Sequence, residues 1–166
     1  MADKTVKGDT SGVNSEIIDF LDSVAKYGGK DITVLSGKRD ADEQAKAMYN
    51  NWTGTVNRGK VYVAGGSLTE AQRLELDKNW ETAHDAKASD ADKTKAEKDF
   101  KALAAKTPSL HVAGKAVDLK EGDLTSDMKA VLIKYMKKVE EKGCFHVQYK
   151  GKLPAEDAIK KELGAT

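Results

Sequence analysis

The residues able to do chemistry in this chain are few. Of its three histidines, His111 and His146 lie in apolar surroundings, while His84 sits in a charged stretch and reads as a solvated surface residue. Asp118 follows His111 by seven positions and stands between Val117 and Leu119, a pattern that predicts a buried strand. A carboxylate there is costly unless it is hydrogen-bonded, ion-paired or metal-bound. Gly114 lets the backbone turn between His111 and Asp118, so the two side chains can converge. His146 lies in a short alternating run, Cys144-Phe145-His146-Val147-Gln148-Tyr149. Two imidazoles and one carboxylate are the donor set of a zinc site that keeps a fourth position open for water, and zinc is the default metal for such a set. The plainer alternative is a hydrogen bond between a loop histidine and a buried aspartate, with His146 as an ordinary strand residue.

The stretch Ser109-Leu110-His111-Val112-Ala113-Gly114-Lys115-Ala116-Val117-Asp118 has the form Ser-x-His-x3-Gly-x-Ala-x-Asp. With the later His146, it resembles the D-Ala-D-Ala carboxypeptidase and dipeptidase family of zinc peptidases. That family includes phage endolysins cutting L-alanyl-D-glutamate bonds and shares its fold with the Hedgehog signalling domain. Ile32-Thr33-Val34-Leu35-Ser36-Gly37-Lys38-Arg39 resembles the Ser-Gly-x-Arg strand that precedes the zinc motif in these enzymes. The three pieces occur in family order. The resemblance implies an α+β fold with a small antiparallel sheet flanked by helices, and zinc held by His111, Asp118 and His146. It also places Arg39 at the mouth of the site, where a guanidinium could clamp a substrate carboxylate or stabilise an oxyanion. Ser109 and Gln44 are the further candidates for substrate contact.

A zinc peptidase needs a general base. Many family members carry an acid three residues before the last histidine; here that position is Gly143. Glu140, six residues before His146, takes the role by resemblance to the Hedgehog branch, whereas Glu141 reads as a solvated helix end. Strand alternation puts Cys144 on the same face as His146, so it is a group beside the metal rather than a ligand.

The elements that must hold these residues follow from periodicity and punctuation. Residues 1–14 are polar and read as a flexible arm, followed by one domain over 15–166. Asn14 or Ser15 caps a helix with Ile17, Ile18, Leu21, Val24 and Ala25 on one face. Residues 32–35 read as a strand, and Asp40 opens a second helix running to about Asn50. Relative to a minimal member of the family it resembles, the chain looks to carry an insertion over 51–106: a Gly-punctuated loop with a possible strand over 60–64, a helix capped by Ser67 with Glu70, and a charged helical stretch. Ser126 caps a helix with Met128, Val131, Leu132, Tyr135, Met136 and Val139 at core spacing. Phe145 begins the His146 strand, and a short helix closes the chain.

At 166 residues with 33% charged and a net charge of +1, the chain suits one domain and has no global field for nucleic acid or an anionic membrane. A single cysteine excludes an intrachain disulfide. The N-terminus lacks the apolar core of a secretory signal. Together with the resemblance, this leads to the expectation of a monomeric, zinc-dependent peptidase of bacterial cell-wall peptides. It would be made in the cytoplasm and act at the wall after release or export, as a phage-type endolysin does. The competing expectation is a catalytically inactive zinc-binding module of the same fold that binds a peptide or protein partner.

Overall fold

The computed structural model describes residues 4–52, 59, 62–63, 68–139, 141 and 143–164. The chain forms two compact units, one from Met1–Lys38 together with Ala113–Thr166, the other from the intervening Arg39–Val112. The class is α+β.

The discontinuous unit is built on a five-stranded sheet in the order β1-β2-β3-β5-β4. Its strands are β1 (Val6–Gly8), β2 (Ile32–Ser36), β3 (Ala116–Leu119), β4 (Lys137–Val139) and β5 (Phe145–Gln148). The sheet is mixed, which corrects the antiparallel expectation: β1 runs parallel to β2, with Val6 opposite Ile32. The other pairings are antiparallel. A strand therefore forms where composition suggests an arm. It is held by backbone pairing and by Asp31, whose carboxylate accepts from the Thr5 N–H at 3.1 Å and from Lys7 Nζ at 2.6 Å.

Helix α1 (Ser15–Gly28) packs the sheet's apolar side. Asn14 caps it by accepting from the Glu16 N–H, and Gly29, at φ +73°, ends it in the left-handed region. Ile17, Phe20, Leu21, Val24 and Ala25 are buried, joined in one core by Ile32, Val34, Val117, Leu119, Phe145 and Val147 from the strands. Helix α5 (Ser126–Tyr135) adds Met128, Val131 and Leu132 to that core, and α6 (Glu156–Glu162) adds Ile159. The sequence places Met136 and Val139 on the helix that begins near Ser126, but α5 stops at Tyr135. Met136 is extended at φ −120°, and Lys137–Val139 pairs with β5 instead. Sheet pairing outweighs helix propensity here. The cap is Thr125, not Ser126.

Among the described residues, the inserted unit packs three long helices around its own core. These are α2 (Ala41–Asn51), α3 (Glu70–His84) and α4 (Asp90–Ala105). Asp40 with Glu43, and Thr69 with Gln72, form reciprocal capping boxes. Thr69 thus replaces the expected Ser67, which lies outside the described residues, as do positions 60, 61 and 64 of the possible strand; Tyr62 and Val63 are helical, not extended, with their N–H groups donating to the Gly59 carbonyl. Ala45, Met48, Trp52, Leu76, Phe100 and Ala104 make the core. Asp77 accepts from Trp52 Nε1 at 2.7 Å and is paired with Arg73, which also holds Glu70. The first and last parts of this unit meet: the Arg39 N–H donates to the His111 carbonyl at 3.3 Å.

Candidate metal centre

Asp118 and His146 stand directly opposite each other on β3 and β5. Residues opposed across a sheet share a face, so this register turns both side chains to the same side. Asp118 Oδ1 lies 2.7 Å from His146 Nδ1, and the residues are 4% and 2% exposed. The apolar run that predicts burial of Asp118 is therefore correct, and the carboxylate is matched by an imidazole.

Two more groups approach His146, and Cys144 lies beside one of them. Glu141 Oε1 is 3.6 Å from Nδ1, the same nitrogen that faces Asp118. Cys144 Sγ lies 4.0 Å from Glu141 Oε2, and Asp118, Glu141 and Cys144 bring ligand-type atoms within 4.8 Å of one another. On the far side of the ring, Gln148 Nε2 is 3.0 Å from His146 Nε2. Reading Glu141 as a solvated helix end is thus wrong. The helix that was to carry it has ended at Tyr135, and the chain returns as β4 before reaching Glu141. Glu140, the expected base, lies outside the described residues. Gly143, three residues before His146, is exposed and adopts φ +87°.

The turn that precedes β3 is tied to the start of the chain. Gly114 has φ +67°, and a Cβ there would stand 2.4 Å from the Gly12 carbonyl oxygen. Its own carbonyl accepts from the Asn14 N–H at 2.9 Å. A glycine is required for both reasons, the left-handed backbone and the close approach.

The remaining candidates belong to the inserted unit and form a local group. His111 is buried, and its N–H donates to Ser109 Oγ at 3.2 Å. Its carbonyl accepts from the Arg39 backbone, and the Arg39 guanidinium donates to Gln44 Oε1 at 3.2 Å. Gln44 is 5% exposed, so the first turns of α2 present an oriented amide to the arginine. His84 is exposed, as expected; its ring stacks on Trp80 with centroids 4.0 Å apart.

His111, Asp118 and His146, all buried, are a candidate metal-binding triad. The donor chemistry fits a zinc ion: two imidazoles and one carboxylate, with the Glu141 carboxylate and the Gln148 amide beside His146. No helix among the described residues is long and apolar enough to cross a membrane. Comparison of the chain with family models, with curated proteins and with solved structures finds no match.

Proposed function

We propose that this chain is a zinc-dependent peptidase acting on peptidoglycan stem or cross-link peptides, in the manner of the phage endolysins its motif resembles. The observation that carries the reading is the buried Asp118–His146 pair, held at 2.7 Å on opposed strands. In this reading His111 is the third ligand. These residues would hold a zinc ion, whose chemistry there would be to acidify a water and polarise the scissile carbonyl. Asp118 and His146 fix the ion's place. Glu141, whose carboxylate faces His146 Nδ1 at 3.6 Å, would be the general base, the group that moves a proton towards the leaving amine. Arg39, oriented by Gln44, is the candidate to bind a substrate carboxylate or the developing oxyanion, and Ser109 is a further candidate for substrate contact, as the motif's resemblance implies.

The test is elemental analysis of untagged protein beside a His111→Ala variant, followed by mass analysis of digested peptidoglycan. About one zinc per chain, lost in the variant, is expected. Glu141→Gln should keep zinc and fold but lose turnover by about 10²- to 10⁴-fold, while Glu140→Gln should stay near wild type. The reverse ranking returns the base to Glu140. The inactive-module reading is favoured by one observation, the exposed Gly143 in place of an acid. It predicts full zinc loading, no peptide products, and ligand binding unchanged in both glutamine variants.

A further inference from the structure

Of the two faces of the sheet, one packs against α1 and the other carries the Asp118–His146 pair. Directly opposed residues share a face, and every second residue along a strand returns to it. The register aligns Asp118, His146 and Val139 in one row across β3, β5 and β4, and Ala116, Gln148 and Lys137 in the next. Lys137 therefore stands on the face of the pair. Lys138 turns to the opposite face, where its ammonium lies 5.2 Å from the centroid of the core residue Phe145. Exposure rises along the site face: His146 is buried, Gln148 is half-buried and Lys137 is exposed. This face thus opens to solvent at Lys137.

Lys137 is the diagonal neighbour of His146, a relation that separates Cα atoms by about 7–8 Å and leaves long side chains within reach. Other lysines in this part of the chain are engaged. Lys129 pairs with Glu121, Lys134 pairs with Glu162, and Lys150 donates to the Lys134 carbonyl. Lys137 makes no hydrogen bond or ion pair among the described residues. We infer that Lys137 sets substrate specificity at this site, its ammonium binding a free carboxylate within about two residues of the scissile bond. The inference rests on the peptidase reading above and narrows its substrates to anionic peptides. Two residues of extended peptide span about 7 Å, which matches the offset between Lys137 and His146. An ammonium brings a full charge and three donors, so it favours a carboxylate over the neutral amide that can replace one. A lysine on an edge strand also discourages pairing with another chain. That role is indifferent to which face the side chain takes, whereas substrate binding requires this one.

The experiment uses two synthetic stem peptides that differ only at the glutamate α-carboxylate, free in one and amidated in the other. Zinc-loaded wild type, Lys137→Met and Lys137→Arg are compared by kcat and KM, and binding is read by calorimetry in the Glu141→Gln background. Wild type should favour the free carboxylate by about 5-fold in KM and in Kd, a preference that shrinks as added salt screens the charge. Lys137→Met should lose the preference through KM with kcat little changed, and Lys137→Arg should keep it. Equal binding of the two peptides by wild type, or an undiminished preference in Lys137→Met, overturns the inference while leaving the peptidase reading standing. Discrimination in binding with cleavage of neither peptide overturns the peptidase reading and leaves the Lys137 contact to the inactive module. Binding of neither peptide overturns both.

Discussion

Asp118→Asn should separate the structural role of the buried carboxylate from its role as a ligand. The substitution keeps the side chain's shape and an oxygen able to accept from His146 Nδ1, the contact now at 2.7 Å. Its cost to the metal-free protein is therefore small, about 1 kcal/mol or less, the net worth of one hydrogen bond. Asp118→Ala removes the charged acceptor nearest His146 Nδ1, a change of about 1.5–3 kcal/mol. Zinc reverses the emphasis. At a free zinc concentration 100 times the dissociation constant, binding adds about 2.7 kcal/mol to the folded state. For a chain of this size that is a rise in Tm of about 5–11 °C. A neutral amide is a poor zinc ligand. If it weakens binding about 100-fold, the same zinc concentration adds only about 0.4 kcal/mol.

The readout must come from the right unit. Trp52 and Trp80 both lie in the inserted unit, so their fluorescence follows that body. Hydrogen exchange at the amides of β3 and β5 follows the strands that carry Asp118 and His146. In wild type, zinc should slow exchange there by about two orders of magnitude, the 2.7 kcal/mol above expressed as a rate. Asp118→Asn should show near-wild-type protection without zinc and almost no gain with it. Equal zinc protection in the variant and the wild type would refute the assignment of Asp118 as a ligand.

Gly114→Ala should destabilise the chain by about 2–3 kcal/mol. A left-handed backbone costs an L-residue about 1–2 kcal/mol, and the new Cβ would press on the Gly12 carbonyl and strain the Asn14 hydrogen bond; urea denaturation checks it. Asp77→Ala should cost the inserted unit about 1.5–3 kcal/mol by removing the charged acceptor of the Trp52 indole N–H and a partner of Arg73, read as a lower urea midpoint by tryptophan fluorescence. Acidification should loosen the C-terminal helix. Hydrogen bonds from Lys26 and Tyr27 hold the Glu156 carboxyl below its ordinary value of 4.5. A depressed folded-state value means that the contribution is present above 4.5 and is lost as pH falls through the lower folded value. Glu156→Gln should flatten that part of the pH profile of Tm.

Much of the site was legible because it rests on local pattern. Val117-Asp118-Leu119 announces a buried carboxylate, Asn14 and Gly29 bracket α1, and Asp40 opens α2 with its own capping box. What escaped depends on partners distant in sequence. Val6–Gly8 is too short and too polar to declare itself a strand, and only its pairing with β2 makes it one. Residues 137–139 continue the helical pattern of α5, so nothing local signals that the chain turns back to pair with β5. That turn moves Glu141 from a solvated helix end to the side of His146. Gln148 could have been found: alternation along β5 puts it beside His146, but an amide carries no signal of its own.

The hydrogen bond between the Arg39 N–H and the His111 carbonyl has a kinetic meaning. β2 must pair with β3, Val34 against Leu119, with the whole of Arg39–Val112 between them. In an unfolded chain, closing so long a loop is slow and entropically expensive. The inserted unit is continuous in sequence, so it can fold first, during synthesis, before the last third of the chain exists. Once folded, it holds its own two ends a hydrogen bond apart. The loop that β2 and β3 must close then shrinks from some eighty residues to a handful of effective links, about four halvings, worth about 2.4 kcal/mol of closure entropy. The insertion thus serves as a folding clamp for the sheet that carries Asp118 and His146.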